Sequence, residues 1–111
     1  MRFWGLKNCD SCKKAQKALV AAGYDLNVTD VRADGVAPED LARFHGVFGE
    51  ALVNKRSTTW RGLSEDERAG DPLLLLATYP TLMKRPVVEK GDQLTLGWDK
   101  KTSALWLDTA S

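Results

Sequence analysis

Two cysteines, Cys9 and Cys12, stand as Cys9-Asp10-Ser11-Cys12 near the start of the chain. They are the side chains best placed to do chemistry. The thiolate, not the thiol, is the sulfur nucleophile, and its formation is controlled by its surroundings. The free N–H groups and positive dipole of a helix N-terminus favour an anion. Lys7, Lys13 and Lys14 can add positive potential. A spacing of three places both sulfurs on one side of a helical turn, within reach of a disulfide. A mixed disulfide on Cys9 can then be resolved by Cys12. Cys12 has a second reading. With Ala15, Leu19 and Ala22 it shares one helical face, where a small buried cysteine simply packs.

Two arginines follow. Arg56 lies in an irregular stretch near Thr58 and Thr59, and Arg85 directly precedes Pro86. The planar guanidinium fork binds carboxylates and oxyanions in pairs of hydrogen bonds. Each is equally readable as an ordinary solvated arginine. X-Pro bonds are where cis peptides occur, so Arg85-Pro86 is a candidate. His45 reads as a structural histidine with no visible partner. Trp4, Trp60, Trp98 and Trp106 are scattered and read as packing residues. A structural zinc site wants four N or S ligands, and two cysteines with one distant histidine do not supply them. A Cys-x5-Arg oxyanion loop is excluded, because Ala15 and Ala18 stand six residues after the cysteines.

The elements that must position these groups follow from the pattern. Met1 to Leu6 reads as a strand. Asn8-Cys9-Asp10-Ser11 reads as a helix start, with Asp and Ser as capping residues. Ala15, Ala18, Leu19 and Ala22 continue the helix, and Gly23 stops it. Tyr24, Leu26 and Val28 alternate with polar residues as a half-buried strand. Asp34-Gly35 is a turn. Pro38-Glu39-Asp40 opens a second helix, with Leu41, Phe44, Val47 and Phe48 as its apolar face. Residues 49–70 predict short helices and loops, with a capping box of Ser64 and Glu67. Asp71-Pro72 opens a buried helix through Thr78, with Leu73–Leu76 as core. Val87-Val88-Glu89 and Gln93-Leu94-Thr95-Leu96 flank Lys90-Gly91-Asp92 as a hairpin. Asp99 caps a last helix through Leu107. The order β-α-β, helices, β-β-α is that of an α/β thioredoxin-like fold with a mixed sheet and a helical insertion.

The chain has 111 residues, 43% hydrophobic and 28% charged, with a net charge of +1. That size fits one domain, 1–111. The near-balance of charge points to neither a nucleic-acid nor a membrane partner. No apolar run approaches the ~20 residues needed to span a bilayer. With no leader pattern at the N-terminus and a close cysteine pair, a cytoplasmic protein is expected.

Lys7 to Ala15, Asn54-Lys55-Arg56 and Leu82-Met83-Lys84-Arg85-Pro86-Val87-Val88 together resemble the arsenate reductase (ArsC) family, in its YffB-like branch. The resemblance covers nearly the whole chain. It implies Cys9 as nucleophile, Arg56 and Arg85 as anion-binding arginines and Pro86 as a cis proline. Arsenate-reducing members carry a third arginine after the hairpin, where this chain has Leu96-Gly97-Trp98-Asp99-Lys100. The resemblance implies a glutathione-dependent thiol reductase, with glutathione as co-substrate and glutaredoxin as a possible partner; with no metal, nucleotide or flavin motif in the sequence, no tightly bound cofactor is expected. A monomer acting on a small thiol or oxyanion is expected. Arsenate reduction coupled to glutaredoxin is one alternative. A redox-switched regulator of RNA polymerase, resembling Spx, is another.

Overall fold

The computed structural model describes residues 1–7 and 9–107. The elements are β1 (Arg2–Gly5), α1 (Asp10–Ala21), β2 (Asn27–Asp30), α2 (Pro38–Phe48), α3 (Thr58–Arg61), α4 (Glu65–Arg68), α5 (Pro72–Thr78), β3 (Val87–Lys90), β4 (Gln93–Leu96) and α6 (Lys100–Leu107). Short 3-10 turns occupy Gly49–Leu52 and Pro80–Leu82. The chain divides into two compact units, Met1–Asp30 with the chain from Arg85 onward, and Val31–Lys84.

The first unit holds the whole sheet, ordered β2-β1-β3-β4. β1 and β2 run parallel, joined by α1, whereas β1–β3 and β3–β4 are antiparallel. A parallel pair needs a crossover, and α1 supplies it. Phe3 and Val88 stand opposite each other in the β1–β3 register. Their side chains therefore share a face, and there they cluster with Cys12, Ala15, Leu19 and Trp106. α1 and α6 thus cover one face of the sheet. Gly91 turns the hairpin with a φ of 58°, a conformation that costs glycine little.

Trp106 is more than a packing residue. Its indole Nε1–H donates to Thr95 Oγ1 at 2.7 Å in a buried site, and its carbonyl accepts from the Tyr24 hydroxyl at 2.6 Å. The Tyr24 and Trp106 rings meet edge-on at 6.2 Å. Asp99 caps α6 as expected, its Oδ1 accepting from the Thr102 N–H at 2.7 Å.

The second unit is helical. α2 packs on α5 and buries Leu41 and Phe44. The Ser64–Glu67 capping box is present at α4, and Asp71 caps α5 by accepting from the Leu73 N–H.

Three local expectations are corrected. β2 begins only at Asn27, and Val28 is 50% exposed because β2 is an edge strand. Val47 on α2 and Leu74 on α5 are 63% and 67% exposed. Each short helix buries a single stripe, so Leu75 and Leu76 are core and Leu74 is not. Ala22 follows the helix as its C-cap and is exposed. Gly23, at a φ of 96°, then turns the chain as expected.

Thr95→Val keeps the volume but leaves the buried Trp106 N–H without its acceptor. It is expected to destabilise the fold by about 1–3 kcal/mol, read as a lower denaturant midpoint at unchanged m-value.

Candidate active site

β1 ends at Gly5, and Leu6 begins the connection to α1. Leu6 engages both cysteines. Its carbonyl accepts from the Cys9 N–H at 3.3 Å, and its N–H donates to Cys12 Sγ at 3.5 Å. Cys9 is the N-cap of α1, with extended backbone angles (φ −90°, ψ 120°). Its carbonyl accepts the Lys13 N–H at 2.9 Å. The sequence assigned capping to Asp10 and Ser11, and this is corrected. Both residues lie inside the first turn and are exposed, so the cap position itself carries sulfur.

That position decides the chemistry. A neutral thiol is a weak acceptor, and Cys9 makes no conventional cap hydrogen bond. The thiolate is a different species. Partial burial opposes its formation, but the Cys12 amide, the Cys12 thiol and the Arg85 guanidinium together outweigh that cost. They hold the Cys9 thiol below its ordinary pKa. Lys7, Lys13 and Lys14 all point to solvent, and Arg85 is the cation that acts on the sulfur.

Cys12 shows the opposite behaviour. It is fully buried in the core cluster. Burial first, and then the neighbouring Cys9, push its thiol up to about 12, against the Leu6 N–H and Arg85, which favour the anion.

Arg85 reaches this site through the hairpin. The β1–β3 ladder closes at Trp4↔Val87, so Gly5 and Pro86 flank the last pair and lie at the same end of the sheet. The Arg85-Pro86 bond is cis, as expected. Pro86 is buried, and its carbonyl accepts the Gly97 N–H at 2.8 Å. The hairpin's return strand thereby anchors the segment that carries Arg85. The structure brings Cys9, Cys12, Arg85 and Pro86 together.

Arg56 belongs to the second unit. It is exposed, on a turn where its N–H donates to Asn54 Oδ1 at 3.1 Å. A shallow cleft there is lined by Ala51, Val53, Asn54, Lys55, Arg56 and Lys84. Two backbone bonds fix its walls, from Lys84 N–H to the Leu52 carbonyl and from Asn54 N–H to the Leu82 carbonyl, both 2.8 Å. Three cations and no carboxylate line it, which suits an anionic group. His45 is half-buried on α2, as expected of a structural residue.

Sequence reasoning overlooked Lys55 and Lys84, both exposed, in this cleft. It also overlooked Gly5. An added Cβ there would stand 2.8 Å from Cys12 Sγ and 2.8 Å from Phe3 Cε1. A glycine inside a strand signals such a close approach.

The ArsC family matches residues 4–104. An uncharacterized protein of Haemophilus influenzae is 39% identical over 103 residues, 88% of this chain and 90% of that protein. The solved YFFB protein superimposes with a TM-score of 0.87 at 30% identity, covering 96% of this chain and 97% of that one. An arsenate reductase (ArsC) related protein from Brucella melitensis superimposes with a TM-score of 0.71 at 34% identity, covering 95% and 92%. This chain belongs to the ArsC family, and its fold is the thioredoxin-like ArsC fold that the sequence implied.

The two thiols make opposite contributions to stability. Cys9, depressed in the fold, stabilises above the ordinary thiol pKa of ~8.5, and that contribution is lost as pH falls through its own lower value. Cys12, raised in the fold, favours the folded state below ~8.5, and this is lost as pH rises toward about 12. Iodoacetamide is expected to alkylate Cys9 alone in the folded protein, with a midpoint below pH ~8.5. Arg85→Ala is expected to move that midpoint upward; an unmoved midpoint shows that Arg85 does not act on the sulfur.

Proposed function

We propose that this ArsC-family protein is a glutathione-dependent thiol–disulfide reductase, with the Cys9 thiolate as its nucleophile. The observation that carries this reading is the placement of Cys9. A partly exposed sulfur sits at a helix N-cap with the Cys12 amide, the Cys12 thiol and Arg85 all favouring its anion. Depressed thiol pKa values at exposed positions mark reactive cysteines.

In the first step the Cys9 thiolate attacks the glutathione sulfur of a mixed disulfide, R–S–S–G. The S–S bond of that disulfide breaks, R–S⁻ leaves with the electron pair, and Cys9–S–S–G forms. In the second step either a glutathione thiolate attacks the glutathione sulfur of Cys9–S–S–G, so that glutathione disulfide forms and the Cys9 thiolate leaves, or Cys12 attacks Cys9 Sγ, so that glutathione leaves as its thiolate and a Cys9–Cys12 disulfide remains for two further glutathione thiols to reduce. Glutathione is a peptide with two carboxylates. Arg56, in a cleft lined by Lys55 and Lys84, matches carboxylate chemistry. Arg85 stands beside the reacting sulfur and stabilises its negative charge. Such a reaction needs a reduced cysteine pair, which suits the cytoplasm.

Arsenate reduction fits the residues less well. The stretch after β4 carries Asp99, whose carboxylate caps α6, where arginine is the expectation for an arsenate-reducing member. An acid adds no attraction for an oxyanion.

Reduction of a glutathione mixed disulfide, coupled to glutathione reductase and NADPH, tests the reading. Cys9→Ser is expected to abolish turnover. Arg56→Ala is expected to raise the KM for glutathione roughly three- to tenfold with a smaller change in kcat, as for loss of one exposed charge-assisted contact. Full turnover by Cys9→Ser defeats the proposal. Inactivity of the wild type, alongside arsenate-dependent NADPH consumption in a glutaredoxin-coupled assay, replaces it with arsenate reduction.

A further inference from the structure

We propose that the helical unit, Val31–Lys84, binds an extended peptide segment in which a short aliphatic side chain and a carboxylate stand two residues apart, the aliphatic group in an apolar pocket beside Trp60 and the carboxylate on Lys55. The proposal concerns binding alone and does not rest on the reductase reading.

The pocket is lined by Glu50, Val53, Lys55, Trp60, Pro72 and Leu75. Leu75 is buried, but Val53, Trp60 and Pro72 are only half-buried. The apolar surface they leave to water gains by being covered. The walls are fixed without a ligand. Ser57 caps α3 by accepting the Trp60 N–H at 3.1 Å. Arg68 on α4 donates to the Trp60 and Arg61 carbonyls at 3.2 and 3.1 Å, and its guanidinium lies 5.8 Å from the Trp60 ring centroid. Asp71 caps α5, the helix that carries Pro72 and Leu75. Val53 is held by its bridge to Met83. Walls already ordered lose little freedom on binding.

Volume decides which group enters. The pocket encloses about 70 Å³, roughly half of the ~150 Å³ cavity that accepts a whole benzene ring. A valine or leucine side chain fits that space, and an aromatic ring does not.

Charge decides what stands beside it. Val53 and Lys55 line both this pocket and the basic cleft, so the two adjoin, whereas Arg56 and Lys84 line the cleft. Lys55 Nζ lies 5.8 Å from the Trp60 ring centroid, which sets an ammonium at the pocket. The other polar lining residue, Glu50, offers acceptors. It suits a backbone N–H and keeps a ligand carboxylate toward Lys55. In an extended peptide, side chains two residues apart point the same way, about 7 Å from each other. That spacing matches the 5.8 Å between the Lys55 ammonium and the ring against which the aliphatic group would lie. One extended peptide thus supplies the aliphatic side chain, the carboxylate and the N–H together.

The probe is acetyl-Ala-Leu-Ala-Asp-Ala-amide, which carries no thiol, titrated into the isotope-labelled full chain and followed by NMR. Trp60→Phe assigns the Trp60 indole signal. That signal and the amides of Lys55 and Leu75 are expected to shift with the peptide. Serine in place of the peptide's leucine is expected to weaken binding roughly tenfold, the loss of one buried aliphatic side chain. Asparagine in place of its aspartate is expected to weaken it about two- to fivefold at low salt, as for one exposed ion pair. Lys55→Glu is expected to weaken the acidic peptide and to regain affinity when the peptide carries lysine at that position. Absence of shifts at these signals overturns the proposal, and so does equal affinity for the serine peptide. The same signals shifting with protein concentration alone assign the pocket to a second copy of the chain and likewise overturn it. None of these readouts uses turnover or either cysteine, so failure of the reductase reading stays distinguishable from failure of this one.

Discussion

The site depends on the backbone of one residue. Leu6 directs its carbonyl to the Cys9 N–H and its own N–H to Cys12 Sγ. These two bonds join the end of β1 to the first turn of α1. They place one sulfur at the helix cap and the other in the core. A buried polar backbone group left unpaired is costly, so a sulfur that accepts from Leu6 is stabilising even though sulfur is a weak acceptor. The turn would otherwise present that N–H to the apolar cluster beneath it.

From this arrangement the two thiols diverge, although they stand three residues apart. Burial raises both. For Cys9 the helix amide, the neighbouring thiol and Arg85 outweigh it. For Cys12, deeper in the cluster, nothing does. Opposite shifts on neighbouring titratable groups are how one site keeps one group charged and the other protonated at the same pH. Of the two thiols Cys9 ionises first, and Cys12 keeps its proton.

The hairpin brings the cation to the sulfur. Its register sets Val87 against Trp4 and therefore brings Arg85 and Pro86 to the end of the sheet where α1 begins. The Pro86 carbonyl, bonded to the Gly97 N–H, ties that segment to the exit of β4. α6 follows directly, capped by Asp99 and locked by the Trp106–Thr95 bond. Residues remote in sequence from the cysteines thus keep the cysteine helix seated. The second unit has its own framework, in which the Val53↔Met83 bridge and its flanking bonds shape the basic cleft around Arg56.

Much of this was legible in the residue order. Helix and hairpin periodicities, the Gly23 stop, the Asp71 and Asp99 caps and the Ser64–Glu67 box depend on contacts a few residues long, and each stands where the pattern put it. The cysteine pair at a strand-to-helix junction and the arginine before proline were likewise visible as local spacing. What local pattern left undetermined was which neighbour each side chain would meet. Val28, Val47 and Leu74 read as core because hydrophobicity alone does not say which face is covered. Cys12 read as resolving, with a packed core residue as the second reading, since only burial under β1 decides whether its proton can leave. Gly5 passed unremarked, because a missing Cβ matters only when a sulfur from another element fills its place. Sequence by itself determined the elements and the reactive residue types, through short-range hydrogen bonds and periodicity. Tertiary structure alone decided their ionisation, because that depends on desolvation and on charges brought close by strand pairing across more than 70 residues.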